Sequence, residues 1–476
     1  MKNEPSLRVG LCGIGLEAYW SQFAGLENRL KTYVARVADR LSRPGVTVVN
    51  LGLVDTPQRS RDAGHRCRRE DIDVLFLYVT TYALSNTVLP LVQRAGVPVI
   101  VLNLQPEPAI DYAAFNRMQD RTAMTGEWLA FCNACPVPEI ANVLLRAQIP
   151  FHQVTGVLDE ETTWREIEEW LLAAHVRAAM AAARIGLMGH YYSGMLDIMT
   201  DVTQVSIAFA AHAEILEVDE LSALRADVTE EEVSRRVAEF RELFDVQPDC
   251  AKEELRRAAR TSMALDAFVA RHELDAMAYY HKGSGNAANE DTMSSIILGT
   301  SLLTVRHIPV AGEYEVKNVI AMKMMDLLDA GGSFTEYYAV DFNDDLVLMG
   351  HDGPGHFAIA EGKTKVRPLQ VYHGKVGRGL SVEMSVRHGP VTLLSVAEDA
   401  ERNFKLVVAE GECVEGPILE IGNTNSRYRF PLGAKGFVET WNSNGPAHHC
   451  AVGIGHVAST LRKTAALMGL GFNQVC

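Results

Sequence analysis

Positive charge is scarce in this chain. Lys and Arg number 45 against 60 Asp and Glu, a net charge of −15 over 476 residues. That balance argues against a protein built to grip a phosphate backbone, which needs basic residues gathered on one face. It fits a soluble chain whose copies repel one another. Eight cysteines are too few for a disulfide scaffold. Long uncharged apolar runs are missing too, so no segment reads as a membrane span. The N-terminal apolar run stops at Glu17 and lacks the small-residue cleavage pattern of a secretion signal. The expectation is a cytoplasmic protein with reduced thiols.

The length predicts about three domains. Over the first third, Val9–Gly15, Val46–Leu53, Val74–Val79, Val97–Asn103 and Phe151–Leu158 are rich in Val, Ile and Leu. They read as strands buried on both faces of a parallel sheet. Asn28–Leu41 and Leu84–Ala95 between them carry apolar positions at helical spacing. The order makes βαβ units and a doubly wound domain over 1–175. Glu160–Ala183 is a long helical pattern leading into a second α/β domain, 176–330. Its expected strands are Arg184–Gly189, Glu214–Val218 and Ala276–His281, with a charged helix over Val228–Leu243. From 331 to 476 the pattern turns antiparallel. Leu380–Val386, Val391–Val396 and Phe404–Val408 are separated by turn residues, as in a small barrel or sandwich, and a helix over Ala458–Met468 closes the chain.

Three motifs draw attention without committing to chemistry. Gly10-Leu-Cys-Gly-Ile-Gly15 lacks the full dinucleotide fingerprint, places Glu17 where a pyrophosphate would approach, and reads as a tight strand-to-helix turn. Cys132-Asn-Ala-Cys135 has no second pair to complete a zinc site and reads as two unrelated thiols near a helix start. His281-Lys-Gly-Ser-Gly-Asn286 has its lysine before the glycines, so it is no P-loop.

The informative residues lie late in the chain. Ala311-Gly-Glu-Tyr-Glu-Val-Lys317 follows an apolar segment, Leu302–Val310, read as a strand. Gly332-Ser-Phe-Thr-Glu-Tyr-Tyr338 sets Glu336 among aromatics. Asp345-Leu-Val-Leu-Met-Gly-His351 ends an apolar strand in a histidine, and Asn444-Gly-Pro-Ala-His-His-Cys450 offers two more. Two Glu with one or two His at the mouths of apolar segments make a mixed nitrogen–oxygen set. Such a set suits Mn²⁺ or a related divalent ion with positions left for substrate; zinc would recruit more His or Cys.

Taken in order, these four segments resemble the L-arabinose isomerase family, with a weaker similarity at Leu102-Asn-Leu-Gln-Pro106. The resemblance implies two Rossmann-like α/β domains followed by a C-terminal domain holding an antiparallel β-barrel. It implies a divalent cation (Mn²⁺, or Co²⁺ or Mg²⁺) held by Glu313, Glu336, His351 and His449, with Glu313 and Glu336 also catalytic. Tyr338, Asp352 and His448 become candidate sugar-binding residues. It implies a trimer or hexamer, with a sugar rather than nucleic acid or a membrane as partner. The pocket departs from the family. Gly13-Ile-Gly-Leu-Glu-Ala-Tyr19 replaces a glutamine-bearing loop, Asp352 replaces a methionine, and Phe131–Pro138 lacks the histidine expected there. An aldose–ketose isomerase acting on a pentose, deoxyhexose or related sugar is therefore expected, with L-arabinose itself a poor substrate. The competing readings are an epimerase or lyase using the same enediolate, a non-catalytic sugar binder and, more remotely, a nicotinamide-dependent dehydrogenase.

Overall fold

The computed structural model describes residues 6–283, 285–369 and 378–476. It divides into two compact units, Met1–Ala178 and Ala179–Cys476. The expected loop 281–286 includes Ser284, which lies outside the described residues. No helix among those described is long and apolar enough to cross a membrane.

The first unit is a five-stranded parallel sheet: β1 (Leu7–Ile14), β2 (Val46–Val54), β3 (Val74–Val79), β4 (Val99–Gln105) and β5 (Phe151–Val157), ordered β2-β1-β3-β4-β5. Every residue of β3 is buried, as a continuous Val/Leu/Phe run requires when helices cover both faces. The glycines of the Gly10–Gly15 stretch serve packing. Gly10 and Gly13 lie inside β1, and a Cβ on Gly13 would stand 2.3 Å from the Val34 side chain of the covering helix. Cys132 is buried and Cys135 exposed, both as free thiols.

In the second unit, β6 (Arg184–Gly189), β7 (His212–Leu216), β9 (Ala276–Tyr280) and β10 (Val310–Ala311) form a second parallel sheet, ordered β10-β9-β6-β7. The two-residue β8 (Asp245–Val246) leaves it for a small separate sheet. Two expected strands differ. Val218 opens a helix rather than closing a strand. The Leu302–Val310 segment opens as the C-terminal part of a helix, Ile297–Val305, and becomes strand only at Val310, which with Ala311 forms β10. That helix is buried through Thr304, so it lacks the polar face that gives a helix its recognisable period. Its Thr and Ser hydroxyls bond back to carbonyls three or four residues earlier.

The remaining strands are β11 (Gly331–Asp341), β12 (Leu346–His351), β13 (Lys365–Pro368), β14 (Leu380–Glu383), β15 (Gly389–Glu398), β16 (Phe404–Cys413), β17 (Thr424–Arg429), β18 (His449–Ile454) and β19 (Gly471–Gln474). Six of them close an antiparallel barrel in the order β15-β18-β11-β12-β17-β16, with β16 returning to β15. The expected Leu380–Val386 strand is the shorter β14. It pairs with β13 in the small sheet instead of joining the barrel. The C-terminal helix falls where expected, and β19 follows it to extend the barrel sheet along β16. Val347, Met349, Leu393, Val407, Tyr428, Cys450 and Val452 form the barrel's apolar cluster. A helix, Val316–Leu327, buried from Val316 to Asp326, packs against β11, β15 and β18 on one side and β9 and β10 on the other. It therefore fixes the carboxyl end of the second parallel sheet against the barrel wall.

Candidate active site

Open parallel sheets receive ligands beyond the carboxyl ends of their strands. β10 ends at Ala311, and the turn that follows carries Glu313. Glu313 and Tyr314 both hold the left-handed conformation, at φ 58° and 62°. A non-glycine residue there costs about 1–3 kcal/mol, and such residues collect at functional sites. The turn is fixed by Tyr314 N–H donating to the Tyr279 carbonyl (3.0 Å) and Glu315 N–H donating to the Gly312 carbonyl (3.0 Å).

The barrel supplies the rest. In the antiparallel register Glu336 on β11 stands directly opposite His449 at the start of β18 and opposite Gly350 on β12. Directly opposed residues share a face of the sheet, so strand pairing alone brings Glu336 and His449 together. His351 ends β12, its N–H donating to Thr424 Oγ1 at 3.0 Å. Phe334, fully buried two residues before Glu336, sets its ring 4.3 Å from the His351 imidazole and 4.5 Å from that of His449.

Glu313, Glu336, His351 and His449 thus gather about His449. Glu336, His351 and His449 offer ligand atoms within 4.8 Å of one another, and so do Glu313, His448 and His449. Glu313 Oε2 lies 3.4 Å from His449 Nε2, and Glu315 Oε2 lies 3.4 Å from His449 Nδ1. Asp352 Oδ1 is 3.4 Å from His351 Nδ1. Tyr338, half-buried, accepts a hydrogen bond from Asn423 (3.2 Å). His448 faces a pocket of about 280 Å³, which is also lined by Asp197, Glu336, Tyr337 and Trp441.

The electrostatics suit a cation. Burial, then the neighbouring His351 and His448, holds His449 well below the ordinary imidazole range, so the ring is neutral. Its Nε2 is buried and makes no hydrogen bond. A neutral imidazole with an unused buried lone pair is what a metal ligand presents. Burial and the Asp352 charge push Glu336 up to about 7. Burial likewise raises Glu315 to about 8, Lys317 opposing and Asp197 and Glu313 adding to the rise. Carboxylates crowded in this way are relieved by a divalent cation. Two carboxylates with two imidazoles also match the mixed donor preference of Mn²⁺-like ions.

Three contributors escaped the sequence reading. Glu315 sits in the same motif as Glu313, and its spacing two residues on was the available signal. Phe334 is one aromatic among several in its segment, and nothing local sets it apart. Asp197, on the loop after β6, hydrogen-bonds His448 across 251 positions of sequence, and nothing local marks it.

Residues 331–471 match the L-arabinose isomerase C-terminal domain. Over 346 residues the chain is 23% identical to an L-arabinose isomerase of Nocardioides sp., covering 70% of this chain and 67% of that protein. The matched domain holds Glu336, His351 and His449 in the barrel strands just described. Over its C-terminal domain, and more distantly over most of its length, the chain is similar to L-arabinose isomerases.

Proposed function

We propose that the protein is a divalent-metal-dependent aldose–ketose isomerase. Its substrate in this reading is an uncharged pentose, deoxyhexose or related sugar, interconverted through an enediol(ate). The observation that carries the reading is the meeting of Glu313, Glu336 and His351 around the unused Nε2 of a neutral, buried His449. In the reading, Glu313, Glu336, His351 and His449 hold the cation, Mn²⁺ being the first choice from the donor set. When bound, it supplies Lewis-acid polarisation of the sugar's carbonyl and adjoining hydroxyl oxygens.

The chain's own groups do the proton work. Glu313, on its strained turn, and Glu336, on a rigid strand, approach from different elements, so two carboxylates flank one substrate carbon pair. One carries the proton between C1 and C2, and the other serves the neighbouring oxygens. Tyr338, Asp352 and His448 contact sugar hydroxyls. Asp352 stands where family members carry an apolar residue, which supports a sugar other than L-arabinose. The enzyme is read as a cytoplasmic homo-oligomer, trimer or hexamer.

A Mn²⁺-supplemented screen of aldoses in D₂O tests the proposal. Ketose formation is expected, with deuterium entering at C1 or C2 and no mass loss. Inversion at another carbon, or loss of water, would assign an epimerase or a lyase instead. Equal turnover of L-arabinose and the best alternative sugar would refute the substrate claim.

A further inference from the structure

The loop between β6 and the helix Val202–Phe209 reaches the pocket through one side chain, Asp197. Its Oδ2 accepts from the backbone N–H of His448 at 3.0 Å and from the same residue's Nδ1 at 2.6 Å. A carboxylate oxygen at that distance can only accept, so Nδ1 carries the hydrogen. In the neutral ring the Nε2 lone pair is then left as an acceptor. Nε2 stands 3.9 Å from Glu313 Oε2, too far for a direct hydrogen bond and close enough for one hydroxyl oxygen to sit between them.

We propose that Asp197 is a positioning residue for substrate: by gripping His448 at two points it presents Nε2 as the acceptor for one sugar hydroxyl beside Glu313. The inference rests on the isomerase reading above and adds the group that fixes one hydroxyl contact.

The alternative, that the contact merely ties down a loop, is poorly supported. The Asp197 and His448 side chains are 42% and 36% exposed, and exposed pairs contribute little stability. The loop is already secured by other contacts. The buried Lys317 ammonium donates to the Asp197 backbone carbonyl, Thr200 Oγ1 donates to Glu398, and the Tyr191 hydroxyl donates to the Thr200 carbonyl. These contacts hold the backbone and leave the Asp197 carboxylate for His448.

The test is a kinetic cycle on the Mn²⁺-loaded enzyme with the best aldose from the screen. Asp197→Ala is expected to raise KM by about tenfold, the loss typical of one charge-assisted hydrogen bond. Mn²⁺ affinity and Tm should stay unchanged. Asp197→Asn, which keeps an acceptor oxygen, should recover most of the loss. In a His448→Ala background Asp197→Ala should cost nothing more. Additive losses, an unchanged KM, or a fall in Mn²⁺ affinity would overturn the proposal.

A second readout needs no turnover. In ¹⁵N-histidine spectra of the metal-free protein, His448 should show hydrogen on Nδ1, and Asp197→Ala should abolish that preference. Adding the neutral polyol L-arabinitol should shift the His448 Nε2 signal. If no aldose is isomerised while these signals behave as stated, the isomerase reading fails and the grip stands. A ring carrying hydrogen on Nε2, or an Nε2 signal unmoved by the polyol, overturns the grip.

Discussion

Glu315 governs how His449 faces its neighbours. It is fully buried, and its Oε2 lies 3.4 Å from His449 Nδ1. Carboxylates placed behind a ligating histidine typically account for 10–100-fold in metal affinity or activity. Glu315→Gln should therefore weaken Mn²⁺ binding by about that factor, measured by calorimetric titration; unchanged affinity would remove it from the site. Glu313→Gln and Glu336→Gln should each lower kcat by about 10²–10⁴-fold, the range of a lost acid or base. Either variant keeping near-full turnover with metal bound would refute its assigned role. The two residues were legible in sequence, Glu313 as a carboxylate following an apolar segment and Glu336 as one set among aromatics. Glu315 was visible too, but only its contact with His449 separates it from a solvated neighbour.

At the scale of elements, the site depends on strand register. Glu336 meets His449 because β11 and β18 pair in that alignment; slipping by one residue would send one of them to the opposite face. Gly350 fixes the adjoining register. A Cβ there would lie 1.8 Å from the Thr424 carbonyl oxygen of β17, so any side chain must push two barrel strands apart. Gly350→Ala should cost about 1–3 kcal/mol, the usual penalty of overpacking, read by urea unfolding, and should lower activity by displacing His351. Wild-type stability in this variant would contradict the packing. The short apolar runs within residues 389–408, parted by turn residues, announced strands. The buried helix Ile297–Val305 announced nothing, since an apolar run without period suits either a strand or a helix.

At the scale of the whole molecule, cation binding and stability are linked. A ligand that binds only the folded state adds about 2.7 kcal/mol at a hundredfold excess over Kd. Mn²⁺ should accordingly raise the Tm of the wild type, reversibly with chelator, and should leave that of His449→Ala unmoved; an equal rise in both would place the ion elsewhere. A second linkage lies away from the site. His272, at the end of the helix Lys252–His272, faces Glu214 and Glu220. Burial alone would lower its pKa, but the two carboxylates raise it above the ordinary 6.5. Glu214 is lowered from 4.5 chiefly by His272. Glu220 is lowered by Arg271 and His272 in spite of burial. The raised histidine stabilises fully below 6.5 and loses that contribution as pH rises through its folded value. The lowered carboxylates stabilise above 4.5 and lose theirs as pH falls through their folded values. The Tm deficit of His272→Gln should therefore be largest between about pH 5 and 6 and shrink toward about pH 8; a deficit independent of pH would sink the argument.

The sequence alone determined the layered α/β beginning and the antiparallel end, because strands alternating with helical spacings make βαβ units, whereas short strands separated by turn residues pair with their neighbours. It also offered the chemistry, since Glu313, Glu336, His351 and His449 lie in four short segments that each bring a carboxylate or an imidazole. Only the tertiary structure decided that Glu315 backs His449, that Phe334 packs two imidazoles, and that Asp197 reaches His448. Those contacts join residues on different elements, one pair 251 positions apart. No local pattern records them, because which faces meet is set by how the barrel and the second parallel sheet bury their apolar surfaces against one shared helix.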